Sequence, residues 1–150
     1  MGTIKDTLVP LQGRRVYFDT NVFIYFMDGK ASYLEQCLPL FQAVEAGRIT
    51  GVSGELVIAE LLVKPMSIND MIGAQKARAF FDDGFFQAIP HDRDMLELAA
   101  HIRATQKLYM IDAVHVATAI KAGCSHFITN DEQIAERAKG IQVIRLASIA

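Results

Sequence analysis

Residues 14–26, RRVYFDTNVFIYF, place a carboxylate at the junction between a strand and a helix. The first six residues form a β-rich run that ends in Asp19, and a helical pattern follows it to about Phe26, where Gly29 soon stops it. Four more β-rich runs follow, at residues 49–53, 85–89, 126–129 and 142–146. Strands that alternate with helices predict an α/β fold, in which a parallel sheet carries helices on both faces.

Helical patterns fill the intervals between these strands. They cover residues 32–47, 55–63, 70–81, 92–106, 112–122 and 132–139. Pro39 lies inside the first of them and predicts a kink or a split, and Pro65 is expected to end the second. Because no repeat, linker or charge block divides the sequence, we interpret residues 1–150 as one domain.

The composition argues against several classes of protein. The 150 residues are 51% hydrophobic and 21% charged, which favours a folded domain over a disordered chain. The sequence has no apolar run long enough to predict a membrane span, and its first residues lack the features of a signal peptide. Cys37 and Cys124 are expected to be reduced thiols in a cytoplasmic protein. A net charge of -2 argues against a protein that binds nucleic acid through basic residues alone. It argues less strongly against an enzyme whose bound cations supply the positive charge.

Two acids follow strands of the predicted sheet. Ligands of open parallel sheets bind beyond the carboxyl ends of the strands, which is where Asp19 and Asp131 lie. Each also has a local interpretation, Asp19 as the N-cap of the next helix and Asp131 as part of a turn and cap. Polar side chains that can orient these acids, or replace them as caps, stand beside them: Thr20, Asn21, Thr129 and Asn130.

Two further acids lie in apolar helices. Glu60 stands in LVIAELLV, where an unpaired charge against the core is costly, so we expect a metal or a partner. The alternatives are a solvent-facing position or a pair with Lys64 at i+4. Asp112 opens DAVHVATAI, where an N-cap is the alternative. His115, on the same face, is interpreted as a hydrogen-bonded core residue and not as a metal ligand.

Four carboxylates at one sheet edge would repel one another without a cation. A cluster of oxygen ligands, with no zinc-like spacing of His or Cys, favours a hard cation such as Mg²⁺ or Mn²⁺. These ions bind phosphate oxygens, activate water and stabilise a leaving oxygen. We therefore predict a metal site suited to chemistry at phosphate, with four candidate catalytic and metal-binding residues: Asp19, Glu60, Asp112 and Asp131.

Three segments carry a family pattern: VYFDTNVFIYF near the start, ELVIAELLVKP in the middle and IDAVHVATAIKAGCSHFITND toward the end. In order and spacing they resemble the PIN-domain nucleases, and especially the small VapC-like toxins of prokaryotic toxin–antitoxin pairs. The resemblance places the four acids of the family on the four residues named above. Its polar positions fall on Thr20, Asn21, Thr129 and Asn130. Met110 and Ile111 depart from the pattern, because many relatives have a polar residue or a proline there.

The resemblance implies a Mg²⁺- or Mn²⁺-dependent ribonuclease with a five-stranded parallel sheet. It implies an RNA substrate, either single-stranded or in the loop of a structured RNA. It also implies a homodimer and a cognate antitoxin that covers the active-site groove. Two alternatives stay open within the family: an RNA-processing nuclease that is not a toxin, and a catalytically silent module that binds RNA or a protein.

Two other kinds of phosphoryl-handling domain also have an Asp after the first strand. Haloacid-dehalogenase-type phosphatases need a second Asp two residues later, where this chain has Asn21. Receiver domains need a Lys after a late strand, where this chain has Asn130 and Asp131. Both fit the sequence poorly. Substrate binding is assigned to basic residues that are otherwise solvated surface charges: Arg14, Arg15, Lys64, Arg103 and Lys107.

Overall fold

A computed structural model of the protein describes residues 2–29 and 31–149, without the side chains of residues 31 and 32. Its strands are β1 (Arg15–Phe18), β2 (Thr50–Gly54), β3 (Phe86–Ile89), β4 (His126–Thr129) and β5 (Gln142–Arg145). They form one sheet in the order β3-β2-β1-β4-β5, and every neighbouring pair is parallel. The predicted five-stranded parallel sheet is confirmed.

Eight α-helices connect and flank these strands in the described part of the chain. They are α1 (Ile4–Leu11), α2 (Thr20–Asp28), α3 (Ala31–Glu45), α4 (Glu55–Ser67), α5 (Met71–Asp82), α6 (Arg93–Gln106), α7 (Met110–Lys121) and α8 (Glu132–Arg137). A 3-10 turn, Leu146–Ser148, follows the last strand. None of the helices in the described ranges combines the length and the apolar character that crossing a membrane requires.

The largest differences from the sequence expectation concern α1 and the two prolines within helices. The pattern did not predict α1, whose N-cap Thr3 forms a capping box with Asp6. The expectation that Pro65 ends α4 was wrong, because the helix continues to Ser67. A proline ring is compatible with helical φ and removes only one hydrogen bond of the helix, so a last half-turn can follow it. Pro39 does not split α3, which is one helix from Ala31 to Glu45.

The sheet is buried between two apolar layers. Val16 and Phe18 of β1 point into a core that includes residues of α2, α3 and α4, among them Phe23 and Phe41. Tyr17 points to the opposite face, into a core formed with α6, α7 and α8. This alternation is the period of a strand that is covered on both faces. Burial on both faces fixes β1 in the centre of the sheet, and Asp19 is the next residue of the chain.

The strand order determines where the sheet has its switch point. From β1 the chain proceeds outward to β2 and β3, and it then returns to place β4 on the other side of β1. The connections leave the adjacent carboxyl ends of β1 and β4 in opposite directions, which is the switch point where parallel sheets bind ligands. Asp19 follows β1 and Asp131 follows β4 with one residue between, so the topology brings both acids to this point.

Both cysteines are free thiols. Burial raises the pKa of Cys37 to about 12 and the pKa of Cys124 to about 11. Neither forms a thiolate near neutral pH, so the fold gives no nucleophilic role to either residue.

Candidate active site

Asp19 is held by three hydrogen bonds at the end of β1. Its Oδ1 accepts from the backbone N–H of Thr20 at 2.8 Å. Its Oδ2 accepts from the hydroxyl of Thr129 at 2.7 Å and from the amide of Asn21 at 3.2 Å. Asp19 is the N-cap residue of α2 and is only 4% exposed. The capping interpretation is therefore correct, and the same carboxylate also faces the switch point.

Thr129 links Asp19 to the acid that follows β4. Besides donating to Asp19, its hydroxyl oxygen accepts from the backbone N–H of Asp131 at 3.0 Å and from the amide of Asn21 at 3.1 Å. Asp131 in turn caps α8, because its Oδ1 accepts from the N–H of Ile134 at 3.1 Å. One buried hydroxyl thus fixes the relative positions of the two strand-end acids.

Asn130 acts differently from the sequence expectation. Its side chain does not contact the acids but donates to the hydroxyl of Tyr25 at 3.3 Å and accepts from the N–H of Ala147 at 3.0 Å. Its backbone N–H donates to Oδ1 of Asn21 at 3.0 Å. Asn130 therefore supports the site through Asn21, whose amide is then free to face Asp19.

Glu60 has two partners on its Oε1. The hydroxyl of Thr20 donates to this oxygen at 2.7 Å, and Nε2 of His115 lies 2.6 Å from it. The carboxylate side chain is 27% exposed. The apolar sequence around Glu60 required a partner, but the partners come from α2 and α7 and not from Lys64 one turn along.

His115 connects Glu60 to the core. The ring is 1% exposed, and its Nδ1 lies 2.7 Å from the hydroxyl of Tyr17. The oxygen of this hydroxyl accepts a hydrogen bond from the N–H of Gly54 at 2.9 Å. Nε2 also lies 4.0 Å from Oδ1 of Asp19. The prediction of a hydrogen-bonded core histidine is confirmed, but its contact with the acids was missed. The signal for it was the spacing of three residues from Asp112, which puts both side chains on one face of the helix.

Asp112 is not an N-cap. Tyr109 has that position in α7, and Asp112 lies in the first turn of the helix. The pKa of Asp112 rises from its ordinary value of 3.8 to about 6. Burial is the largest cause, followed by the negative charges of Asp19, Asp131 and, more weakly, Glu60, while His115 opposes the rise. The other three candidate acids therefore make the ionised form of the Asp112 side chain less favourable.

The other groups of the site respond to the same field. Burial and the charge of Glu60 raise the pKa of Asp19, although His115 and the hydrogen bonds from Thr129 and Thr20 oppose this. Burial acts to raise the pKa of Glu60, but the hydrogen bonds and the charge of His115 outweigh it and the pKa is lowered. Burial acts to lower the pKa of His115, but its bond to Glu60 and the nearby acids outweigh this and raise it. His115 and Glu60 thus stabilise each other's charged forms.

The chemical type of the ligand atoms fits a hard cation better than the arrangement of the side chains does. Among the residues that the structure describes, no three His, Cys, Asp or Glu side chains converge closely enough to hold a metal ion as they stand. Asp19, Glu60 and Asp131 each accept hydrogen bonds from protein donors in this arrangement. The donors themselves are carboxylate oxygens in a polar crevice, which fits Mg²⁺ or Mn²⁺ and not a softer ion.

The basic residues are unevenly placed around this edge. Arg14 and Arg15 stand at the start of β1, whereas the acids follow its end roughly 10 Å away, at about 3.3 Å for each residue. Arg15 also donates to the carbonyl of Ala122 at 2.9 Å. These two arginines therefore lie away from the acids, and their role in substrate binding stays a prediction. Lys64 lies one turn beyond Glu60 on α4 and stays a candidate.

Comparison with known proteins places this geometry in a family. A family model of the PIN domain matches residues 16–140. No curated protein sequence matches the chain. Similar solved structures include a toxin–antitoxin complex from Klebsiella pneumoniae, with 23% identity and a TM-score of 0.65, covering 87% of this chain and 97% of that chain.

Two further structures show the same fold. VapC20 from Mycobacterium tuberculosis, a sarcin–ricin loop cleaving toxin, has 13% identity and a TM-score of 0.65, and the match covers 85% of this chain and 98% of that chain. VapBC2 from Rickettsia felis, bound to a DNA fragment from its promoter, has 13% identity and a TM-score of 0.62, with coverage of 87% and 98%. At these identities the likeness shows a shared fold.

Proposed function

We propose, from the premise that this chain belongs to the PIN domain family of nucleases, that it is a Mg²⁺- or Mn²⁺-dependent endoribonuclease. Its substrate is RNA, single-stranded or in the loop of a structured RNA. Four carboxylates form the catalytic and metal-binding site: Asp19, Glu60, Asp112 and Asp131.

The observation that carries the proposal is the hydrogen-bonded arrangement at the switch point, where Thr129 joins Asp19 to Asp131 and Thr20 joins Asp19 to Glu60. Asp112, in the first turn of α7, faces the charges of these acids. A carboxylate whose pKa is raised to about 6 by burial and by three other carboxylates stands in a region of concentrated negative charge. Such a region is costly unless a cation neutralises it, and perturbed acids in a crevice are typical of functional sites. The position of Asp19 and Asp131 at the switch point of the sheet supports the same proposal.

The side chains divide the work of phosphodiester hydrolysis. Asp19, Asp112 and Asp131 would hold the cation. A divalent ion at such a site stabilises the negative charge that develops on phosphate and lowers the pKa of water. Both hydrogen bonds that described residues make to Glu60 go to Oε1, which leaves Oε2 to ligate or to accept the proton of the attacking water. Water adds to phosphorus as it gives up this proton, the bond from phosphorus to the ribose oxygen breaks, and the leaving oxygen takes a proton from solvent to become a hydroxyl.

We also propose that the chain is the toxin of a toxin–antitoxin pair, that it acts in the cytoplasm, and that it forms a homodimer. The support is the fold shared with a toxin–antitoxin complex and with a toxin that cleaves the sarcin–ricin loop. A nuclease of this fold that processes RNA without being a toxin is the alternative, since the four acids serve both.

A cleavage assay tests the nuclease proposal. Purified protein is incubated with end-labelled single-stranded RNA in Mg²⁺, in Mn²⁺ and in EDTA. We expect fragments that require the divalent ion and disappear in Asp19→Asn. Asp82→Asn is the matched control, because this exposed acid closes α5 at the opposite edge of the sheet. Cleavage that survives EDTA, or full activity in Asp19→Asn, would refute the assignment.

Expression in growing cells separates a toxin from a processing nuclease. We expect the wild-type chain to arrest growth, Asp19→Asn to be harmless, and co-expression of the adjacent open reading frame to restore growth. RNA cleavage in vitro without growth arrest would retain the nuclease and reject the toxin.

A further inference from the structure

We propose that His115, held by Tyr17, is a positioning residue for Glu60. The inference rests on the proposed function, because Glu60 matters only if the acids form a working site. It assigns a task to two buried polar side chains that are neither acids nor among the polar residues that flank them. It also explains why a series of hydrogen bonds connects Tyr17 in the core to Glu60 among the acids.

The chain of hydrogen bonds runs in one direction through the protein. The N–H of Gly54 donates to the hydroxyl oxygen of Tyr17 at 2.9 Å. The Tyr17 hydroxyl lies 2.7 Å from Nδ1 of His115, and Nε2 of His115 lies 2.6 Å from Oε1 of Glu60. In the neutral ring the tyrosine hydroxyl donates to Nδ1, so the single proton of the ring stands on Nε2 and faces Glu60. A charged ring also donates from Nε2, so either form holds the carboxylate.

Packing makes Tyr17 a rigid support. Its ring is fully buried and stacks on Phe127 at a centroid distance of 5.0 Å and an interplanar angle of 8°. Gly54 allows the close approach, because a Cβ there would lie 2.9 Å from the tyrosine hydroxyl and would also collide with His91. The hydroxyl is thus fixed against β2 as well as within β1. A rigid donor of this kind restricts the His115 ring to one orientation.

His115 lies between two of the proposed catalytic acids. Its Nε2 is 2.6 Å from Glu60 and 4.0 Å from Oδ1 of Asp19. The second bond to Glu60, from Thr20, comes from the residue after Asp19. Without the histidine donor, the glutamate retains one bond and can rotate away from Asp19. Residues that orient ligands in this way typically change activity or metal affinity about 10- to 100-fold when they are lost.

The test compares two substitutions of the same residue. His115→Leu removes the donor and retains bulk, whereas His115→Gln carries an amide that can donate from about the position of Nε2. We expect kcat for RNA cleavage to fall about 10- to 100-fold in His115→Leu, with KM within about twofold of wild type, and to recover substantially in His115→Gln. His91→Gln is the control, because His91 bridges Leu56 and Thr118 in the same layer without contacting Glu60.

A purely structural role predicts a different pattern. His115→Gln would then be no more active than His115→Leu, and the loss would follow the loss of stability; either result would overturn the proposal. If His115→Leu does not fold, Tyr17→Phe decides the matter. It retains the ring and its stacking on Phe127 but removes the hydroxyl, and we expect a smaller fall in kcat with KM unchanged. Wild-type kcat in Tyr17→Phe would overturn the proposal.

A spectroscopic measurement keeps this inference separate from the nuclease proposal. Histidine ring ¹⁵N spectra of the wild-type protein report which nitrogen carries a proton. We expect a protonated Nε2 on His115, since this nitrogen faces the Glu60 carboxylate. An unprotonated Nε2 would contradict the positioning geometry. If the wild-type chain cleaves no RNA yet shows a protonated Nε2, the proposed function fails while the hydrogen-bonded arrangement stands.

Discussion

Replacing Asp112 with asparagine is expected to stabilise the metal-free protein while abolishing cleavage. Burial and the charges of Asp19, Asp131 and Glu60 make the ionised form of Asp112 unfavourable in the folded state. Asparagine has nearly the same shape but no charge, so it removes the repulsion. Catalytic residues are often stabilised by such changes, because sites are selected for chemistry at some cost in stability.

The structure sets the size of this effect. A rise of the pKa from 3.8 to about 6 corresponds to about 3 kcal/mol at neutral pH, since a tenfold change in proton affinity is about 1.4 kcal/mol. The carboxyl is partly exposed, and solvent screening reduces the figure to roughly 1.5 kcal/mol. The variant also loses a favourable charge in the first turn of α7, which costs about 0.5 kcal/mol. The net gain is about 1 kcal/mol, or about 3 °C in Tm for a domain of this size.

The sign of the pH dependence follows from the raised pKa. Between 3.8 and about 6 the folded state binds more protons at Asp112 than the unfolded state. The contribution of this group to stability is therefore full below the lower pH and is lost as the pH rises through about 6. Asp112→Asn should exceed wild type at pH 7.5 and approach it near pH 4.

Urea unfolding in EDTA at the two pH values checks this prediction. Asp94→Asn is the matched control, because Asp94 is an exposed acid in the first turn of α6 and reports the helix-dipole loss alone. We expect the control to be slightly less stable than wild type and Asp112→Asn to be more stable at pH 7.5. If Asp112→Asn is no more stable than Asp94→Asn at pH 7.5, the acids do not share one electrostatic field and the reasoning is refuted.

Three other substitutions follow from the site. Thr129→Val should lower the free energy of unfolding by about 1–3 kcal/mol, because Asp19 and the N–H of Asp131 lose a buried partner; urea titration should show Thr129→Ser to be close to wild type, and equal stability of the valine variant would contradict the assignment. Gly54→Ala should cost about 1–3 kcal/mol, since its Cβ collides with His91 and the Tyr17 hydroxyl; an unchanged Tm would contradict the packing. Glu60→Gln should lower kcat for RNA cleavage about 10²- to 10⁴-fold with the fold intact by circular dichroism, and full activity would remove Glu60 from the chemistry.

Much of the fold could be predicted because its signals are local and repeated. The five strands lie in short β-rich runs, and their alternation with helices leaves few topologies. The same regularity placed Asp19 and Asp131 correctly, because the residue after a parallel strand is at the ligand-binding edge. The first helix was missed although Thr3 and Asp6 marked its start. Its short length and Pro10 near its end weaken the helical pattern.

The hydrogen bonds within the site were beyond the sequence. Nothing local indicates that the hydroxyl of Thr20 bonds Glu60, 40 residues away, and not the backbone of its own helix. The same holds for the 98 residues that separate Tyr17 and His115. These pairs depend on the register between β1 and β2 and on how α7 lies across them, and periodicity does not determine either. The side-chain partners of Asn130, Tyr25 and Ala147, could not be predicted for the same reason, since both are distant in sequence.

Calorimetric titration with Mn²⁺ tests the central claim most directly, because it asks whether the four acids act together on a cation without requiring the correct RNA. We expect the wild-type chain to bind Mn²⁺, with binding weakened at least about tenfold in Asp19→Asn and in Asp112→Asn and unchanged in Asp82→Asn. The bound ion should also remove the stability advantage of Asp112→Asn at pH 7.5. A wild-type protein that does not bind Mn²⁺, or one whose affinity is unchanged in Asp19→Asn, would contradict the claim.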